Sequence, residues 1–169
     1  PMQELMKLNP DCMINIAASP FSYVQHQTRM KVLQRNALKY QMPLLYVNHC
    51  GAQTELIFDG GSCALNKDGK TIAMAPFFIE NFHVIDLFGA SITSTIEQVT
   101  PSKNELIFKA LTCGIRDYFS KQNFKQAILG LSGGIDSALT LVLAVAALGK
   151  ENVLAVLLPS GFSNNHSIE

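Results

Sequence analysis

Residues 127–158 constrain this chain more than any other stretch. A short apolar run, Ala127-Ile128-Leu129, leads into Gly130-Leu131-Ser132-Gly133-Gly134-Ile135-Asp136-Ser137. A longer apolar run, Ala138 to Leu148, follows, and then Val153 to Leu158. Five residues ending at a glycine turn suit a strand, while an apolar run of more than ten suits a helix. The spacing predicts a strand over Ala127–Leu131, a helix over Ser137–Leu148 and a strand over Val153–Leu158. A β-α-β unit of this kind has parallel strands and a right-handed crossover.

The turn is poor material for either flanking element, so its residues need another reason to be there. Where a strand feeds a helix through glycines, the first N–H groups of the helix point outward and carry partial positive charge. Glycines also let an anion approach the backbone closely. Ser132 and Ser137 can add hydroxyl donors. Asp136 is the odd member, because a carboxylate repels phosphate unless a cation lies between them; a magnesium ion held by Asp136 and phosphate oxygens removes the conflict. The stretch lacks the lysine and the GK[ST] ending of a Walker A loop, and it lacks the GxGxxG spacing of dinucleotide-binding turns. The alternative is a plain helix start capped by Asp136 or Ser132.

Upstream, the chain reads as short strands around one helix. Met13–Ala17 is a strand, Val24–Tyr40 is a helix with Met30, Leu33, Ala37 and Leu38 at helical spacing, and Leu44–Val47 is a strand. Glu55–Phe58, Cys63–Leu65 and Thr71–Ala75 follow, the last two joined through Asn66-Lys67-Asp68-Gly69-Lys70 as a hairpin. Phe82–Leu87 reads as one more strand. Residues 89–102 are small, polar and aperiodic, which predicts a linker and a division near residue 95. Ser102-Lys103-Asn104-Glu105 then fits a capping box opening a helix to Lys121, with Leu106, Ile107, Ala110, Leu111, Ile115 and Tyr118 on one face.

The hexapeptide Ser132-Gly133-Gly134-Ile135-Asp136-Ser137 resembles the SGGxDS signature of N-type ATP pyrophosphatases. Its flanks narrow the resemblance. Ala110-Leu111-Thr112-Cys113-Gly114-Ile115-Arg116-Asp117-Tyr118, Ala147 to Val153 and Pro159 to Ser167 are similar to the synthetase domain of the glutamine-dependent NAD synthetase family. Gln122-Asn123 departs from the family's usual Asn-Gly, but asparagine tolerates a left-handed cap. Asn15 to Phe21, Val47-Asn48 with Gly51, and Glu55 to Ser62 resemble the second half of that family's nitrilase-like glutaminase domain. The resemblance implies an α/β protein: a portion of a nitrilase-like α-β-β-α sandwich over 1–95, then the first β-α-β of a doubly wound parallel sheet (adenine nucleotide alpha hydrolase-like) over 96–169.

The same resemblance implies function. ATP would be bound by Gly130, Leu131, Ser132, Gly133, Gly134, Ile135, Asp136 and Ser137, with Asp136 as the Mg2+ ligand. Leu158 and Pro159 would pack on adenine, the alternative being a strand that simply ends at proline. Ser19 and Gln25 would meet glutamine, although Gln25 replaces a lysine and lacks its charge. Thr54 also departs from the family, standing where an aspartate is usual. The family's Glu-Lys-Cys triad lies upstream of Pro1, so no catalytic residue is assigned, and Cys12, Cys50 and Cys63 read as ordinary or packing residues. The implied reaction converts deamido-NAD to NAD with ammonia from glutamine, through an adenylylated intermediate. The alternative is a non-catalytic assembly subunit of the same family.

Composition supports the exclusions. Thirteen basic residues balance thirteen acidic ones without a basic run, which argues against non-specific nucleic-acid binding. No apolar stretch reaches the length of a membrane span, and residues 1–12 do not resemble a signal peptide. The four widely spaced cysteines, without a CxxC pair, predict reduced thiols in a cytoplasmic protein. The start at Pro1 and the end at Glu169 predict a piece of a longer enzyme that is inactive alone, and the nitrilase-like half predicts a homo-oligomer.

Overall fold

The computed structural model describes residues 2–88 and 101–157. It is a mixed α/β structure that divides into two compact units. One comprises Pro1–Gly51 with Leu56–Leu106; the other comprises Ala52–Glu55 with Ile107–Glu169. The division expected near residue 95, and most of the expected linker, lie outside the described residues.

The first unit opens with a short helix, α1 (Met2–Leu5), and a single 3-10 turn (Met6–Leu8). Strand β1 (Met13–Ala17) pairs in parallel with β2 (Leu44–Asn48), in the register Met13 to Leu44 through Ala17 to Asn48. Helix α2 (Gln25–Tyr40) makes the crossover between them. Strands β5 (Cys63–Leu65) and β6 (Thr71–Met74) extend the sheet antiparallel, in the order β1-β2-β5-β6. Met30, Leu33 and Ala37 recur at three and four residues along α2 and bury against Leu44, Tyr46, Cys63 and Leu65.

Local chemistry explains the turns. Asn66 Oδ1 accepts the N–H groups of Asp68 (3.0 Å) and Lys70 (2.9 Å), and Gly69 takes φ +71°, a conformation glycine adopts without penalty. The β5–β6 hairpin expected from Asp-Gly is therefore present. Strands β3 (Cys50–Gln53) and β4 (Leu56–Asp59) form a separate two-stranded ribbon turning at Thr54, which sits at φ +53°. Cys-Gly-Ala-Gln has weak strand character, and β3 is not evident from composition.

One expected strand is absent. Residues 82–87 belong to no strand ladder among the described residues. Their alternation is real: Ile85 and Leu87 pack on the Ala64, Ile72 and Ala73 cluster, while Phe82 and Val84 face outward. A period of two records a face on a core, and without a neighbouring strand it does not make a sheet.

Helix α3 (Lys103–Lys121), whose first turn belongs to the first unit and the rest to the second, begins where the capping pattern places it, with Ser102 Oγ accepting the Glu105 N–H at 3.2 Å. Its buried positions are Leu106, Ala110 and Cys113, whereas Leu111 and Tyr118 are exposed, so the inward face is rotated from the expected one. Asn123 follows α3 at φ +58°, the left-handed conformation expected of it. Strands β7 (Ala127–Leu131) and β8 (Val153–Leu157) are parallel, paired Ala127 to Val153 through Leu131 to Leu157. Helix α4 (Ile135–Leu148) and a 3-10 turn (Lys150–Asn152) connect them. The β-α-β unit is as expected, with α4 starting two residues earlier. Among the described residues no helix is long and apolar enough to cross a membrane.

Candidate functional site

The glycine turn joins the end of β7 to the start of α4. Gly133 has φ +79°, a left-handed conformation in which an L side chain is strained. Gly134 is the N-cap of α4 in an extended conformation (φ −87°, ψ 156°) and has no side chain with which to cap the helix. The first N–H groups of α4 therefore point out at an exposed turn. Ser132 Oγ accepts the Gly134 N–H at 3.4 Å and lies 3.4 Å from Ser137 Oγ, which donates to the Gly134 carbonyl at 2.9 Å. Both hydroxyls thus flank the mouth of the turn. Asp136 is exposed in the first helical turn, and its backbone carbonyl accepts the Thr140 hydroxyl at 2.8 Å. Asp136 lies inside the helix, and the N-cap Gly134 makes no side-chain cap; Ser132 Oγ accepts the N–H of Gly134 itself rather than one from within the helix.

The turn brings Gly130 to Ser137 together and presents backbone N–H groups to one exposed mouth, with the two hydroxyls beside it, a set that fits a phosphate. A cation fits less completely. Among the described residues no group of three or more His, Cys, Asp or Glu is gathered, so Asp136 is a lone carboxylate and other oxygens would have to complete a magnesium shell. Leu158 and Pro159 lie outside the described residues.

In the first unit, Ser19 is half-buried just after β1, and Gln25 is half-buried at the first position of α2. Ser19 stands at the end of a buried polar network. Arg29 Nη1 donates to both Asp59 carboxylate oxygens (3.1 and 3.2 Å), and Arg29 Nη2 donates to Asp59 Oδ1 (3.1 Å) and to Ser19 Oγ (3.2 Å). Asn48 Nδ2 donates to Asp59 Oδ1 (2.8 Å), while Asn48 Oδ1 accepts the Ser19 N–H (2.9 Å). Asp59 is only 1% exposed and Arg29 7%. Next to Ser19's partner Asn48 is a cavity of about 300 Å3, also lined by His49, Cys50, Ser62 and Glu80.

Sequence reasoning passes over Arg29 and Asp59. The signal is in α2: His26, Arg29, Met30, Leu33 and Ala37 form its buried positions, and Arg29 is a charge on that face. A cation on a buried stripe requires a buried acceptor.

Burial pushes the Cys63 thiol up to about 12, and burial together with Asp117 raises Cys113, so neither is a thiolate nucleophile at neutral pH. Cys12 is half-buried and enters β1, as expected. His26 is buried edge-on to Phe77 with ring centroids 4.8 Å apart, and its Nδ1 has no hydrogen-bond partner among the described residues. Burial first, and the Arg29 charge second, lower its pKa from the ordinary 6.5. The folded state therefore favours neutral His26, and the unfolded state takes up the proton more readily. This contribution to stability is complete above pH 6.5 and declines as pH falls through the folded-state pKa. The urea midpoint should drop between pH 7 and pH 5 in the parent protein, and by less in His26→Phe; equal pH dependence in the two proteins would contradict this.

Comparison with known proteins bears on this geometry. Residues 107–169 match the NAD synthase family model. Sequence likeness to NAD synthetases runs beyond that match. The chain is 41% identical to the glutamine-dependent NAD(+) synthetase of Synechocystis sp., over 100% of its own length and 31% of that protein. It is 34% identical to the enzyme of that name from Acinetobacter baylyi, over 99% of its length and 31% of that protein. The solved glutamine-dependent NAD+ synthetase of Acinetobacter baumannii, in complex with adenosine diphosphate, matches with TM-score 0.90 and 35% identity, over 99% of this chain and 32% of that one. The Cytophaga hutchinsonii NAD(+) synthetase, 16% identical with TM-score 0.76 over 94% of this chain and 36% of that one, shares the fold. The chain spans about a third of the length of the curated NAD synthetases it matches.

Proposed function

We propose that the protein carrying this chain is a cytoplasmic, homo-oligomeric glutamine-dependent NAD synthetase, and that residues 1–169 supply its ATP-binding turn and part of its glutamine pocket. The carrying observation is the turn from Gly130 to Ser137: a left-handed Gly133, an uncapped α4 and two flanking hydroxyls form one exposed donor set. The family likeness over the same residues supports the reading. Gly133 and Gly134 let the β- and γ-phosphates approach the backbone, and Ser132 and Ser137 hydrogen-bond their oxygens. Asp136 would hold Mg2+, which would neutralise phosphate charge. In this reading residues 1–95 are the end of a nitrilase-like sandwich, and residues 96–169 begin a doubly wound nucleotide-binding sheet.

The carboxylate of deamido-NAD attacks the α-phosphorus of ATP, forming an acyl adenylate and releasing pyrophosphate. Ammonia then attacks the acyl carbon, giving the amide of NAD and releasing AMP. Glutamine supplies the ammonia from a site that Ser19 and Gln25 help to form. Gln25 can hydrogen-bond an amide without contributing charge.

The test is product analysis with the full-length protein, given deamido-NAD, ATP, Mg2+ and either glutamine or ammonium. Equal amounts of NAD, AMP and pyrophosphate are the expected result; ADP and orthophosphate in their place would refute it. Residues 1–169 alone should support neither glutamine hydrolysis nor NAD formation, and robust turnover by that piece would contradict the assigned division of labour.

A further inference from the structure

We propose that Arg29, Asp59 and Asn48 are positioning residues that hold Ser19 as a hydrogen-bond donor, so that the glutamine atom it meets is a carbonyl or carboxylate oxygen. The inference rests on the reading of Ser19 as part of the glutamine pocket. An arginine has only donors, so the 3.2 Å contact between Arg29 Nη2 and Ser19 Oγ is donated by the guanidinium. That contact occupies a lone pair of the hydroxyl and leaves its single proton for an acceptor, either the buried Tyr46 hydroxyl beside it or a ligand oxygen. A positive donor on the oxygen also polarises the O–H bond and strengthens it as a donor.

The guanidinium is itself held in place. Two of its nitrogens bind the Asp59 carboxylate, and Asn48 joins the frame by donating to Asp59 while accepting the Ser19 N–H. Ser19 is therefore tied through both its backbone and its side chain to one buried charge pair on α2 and β4. Asn48 is fixed further through its N–H to Ser62 Oγ (3.0 Å) and its amide to the Gly60 carbonyl (3.1 Å). Surface serines have rotatable hydroxyls, and this frame removes that freedom before ligand arrives, which lowers the cost of binding.

Arg29→Lys separates positioning from stability, because an ammonium can still pair with Asp59 but cannot reproduce the fork that reaches Ser19 as well. In the full-length protein it should raise the KM for glutamine about tenfold and leave ammonia-supported NAD formation within about twofold. Ser19→Ala should raise the same KM, and Ser19→Ala/Arg29→Lys should be no worse than Ser19→Ala, since the two residues act through one hydrogen bond. Asn48→Ala, which frees the Ser19 backbone and leaves the Arg29–Asp59 pair in place, provides a second route if Arg29→Lys does not fold; it too should raise glutamine KM with ammonia-supported synthesis retained. If Ser19→Ala raises the glutamine KM while Arg29→Lys or Asn48→Ala does not, or if the double variant is additive, the positioning proposal is overturned. If Ser19→Ala leaves the KM unchanged, the glutamine-pocket reading fails, and the proposal with it.

Discussion

Asp136→Ala in the full-length protein should abolish NAD formation, from glutamine and from ammonia alike, while glutamine hydrolysis persists. The loss should be at least about a hundredfold, the scale of removing a group that neutralises charge at a phosphoryl centre. Stability cannot account for such an effect. Asp136 is exposed at the start of α4, where an acidic side chain contributes only about 0.3–1 kcal/mol through the helix dipole. The alanine variant should therefore unfold at nearly the same denaturant concentration as the parent. Measuring NAD, glutamate and unfolding on one preparation separates the outcomes. Synthesis retained at ordinary magnesium would remove Asp136 from the metal site, and loss of glutamine hydrolysis together with synthesis would indicate global damage.

Asp59→Ala should be the most destabilising single substitution in the first unit, by about 3–5 kcal/mol. The change removes the carboxylate that accepts three hydrogen bonds from Arg29 and one from Asn48, and leaves a guanidinium buried without its counter-charge. Replacing both partners with apolar residues, as in Arg29→Met/Asp59→Leu, should recover much of that loss, because neither member of the new pair needs solvation. The recovered protein should still bind glutamine weakly, since Ser19 has lost its frame. Urea unfolding of the two variants, with glutamine kinetics on the double variant, provides the check. A double variant as unstable as Asp59→Ala would mean that the network contributes through geometry the apolar pair cannot replace.

Much of the architecture was legible because its signals are local. A run of five ending at glycine, a longer apolar run, a serine with glutamate three residues on, and Asp-Gly between short apolar runs each act through neighbours a few residues apart. The corresponding strand, helix, cap and hairpin are all present. The elements that were missed depend on partners far along the chain. Residues 82–87 have the alternation of a strand and find a core surface, but no strand edge. Strand β3 has little β-propensity and exists because β4 lies two residues beyond it. On α3 the periodicity was right and the phase was not: Cys113 turned inward, whereas Leu111 and Tyr118 stayed out. A helical stripe can be rotated when several apolar residues compete for it, and packing then settles which of them faces the core.

The site divides along the same line. From Gly130 to Ser137 every feature of the turn is contiguous in the chain, so residue order alone determined that a glycine turn with two hydroxyls and one carboxylate would open a helix. Backbone stereochemistry leaves few other uses for that string. Ser19 is the opposite case. Its environment comes from Arg29 on α2, Asn48 on β2 and Asp59 on β4, ten to forty residues away. Only the tertiary structure could bring them together, because a buried charge pair depends on which chain segments share one desolvated volume, and no local spacing records that.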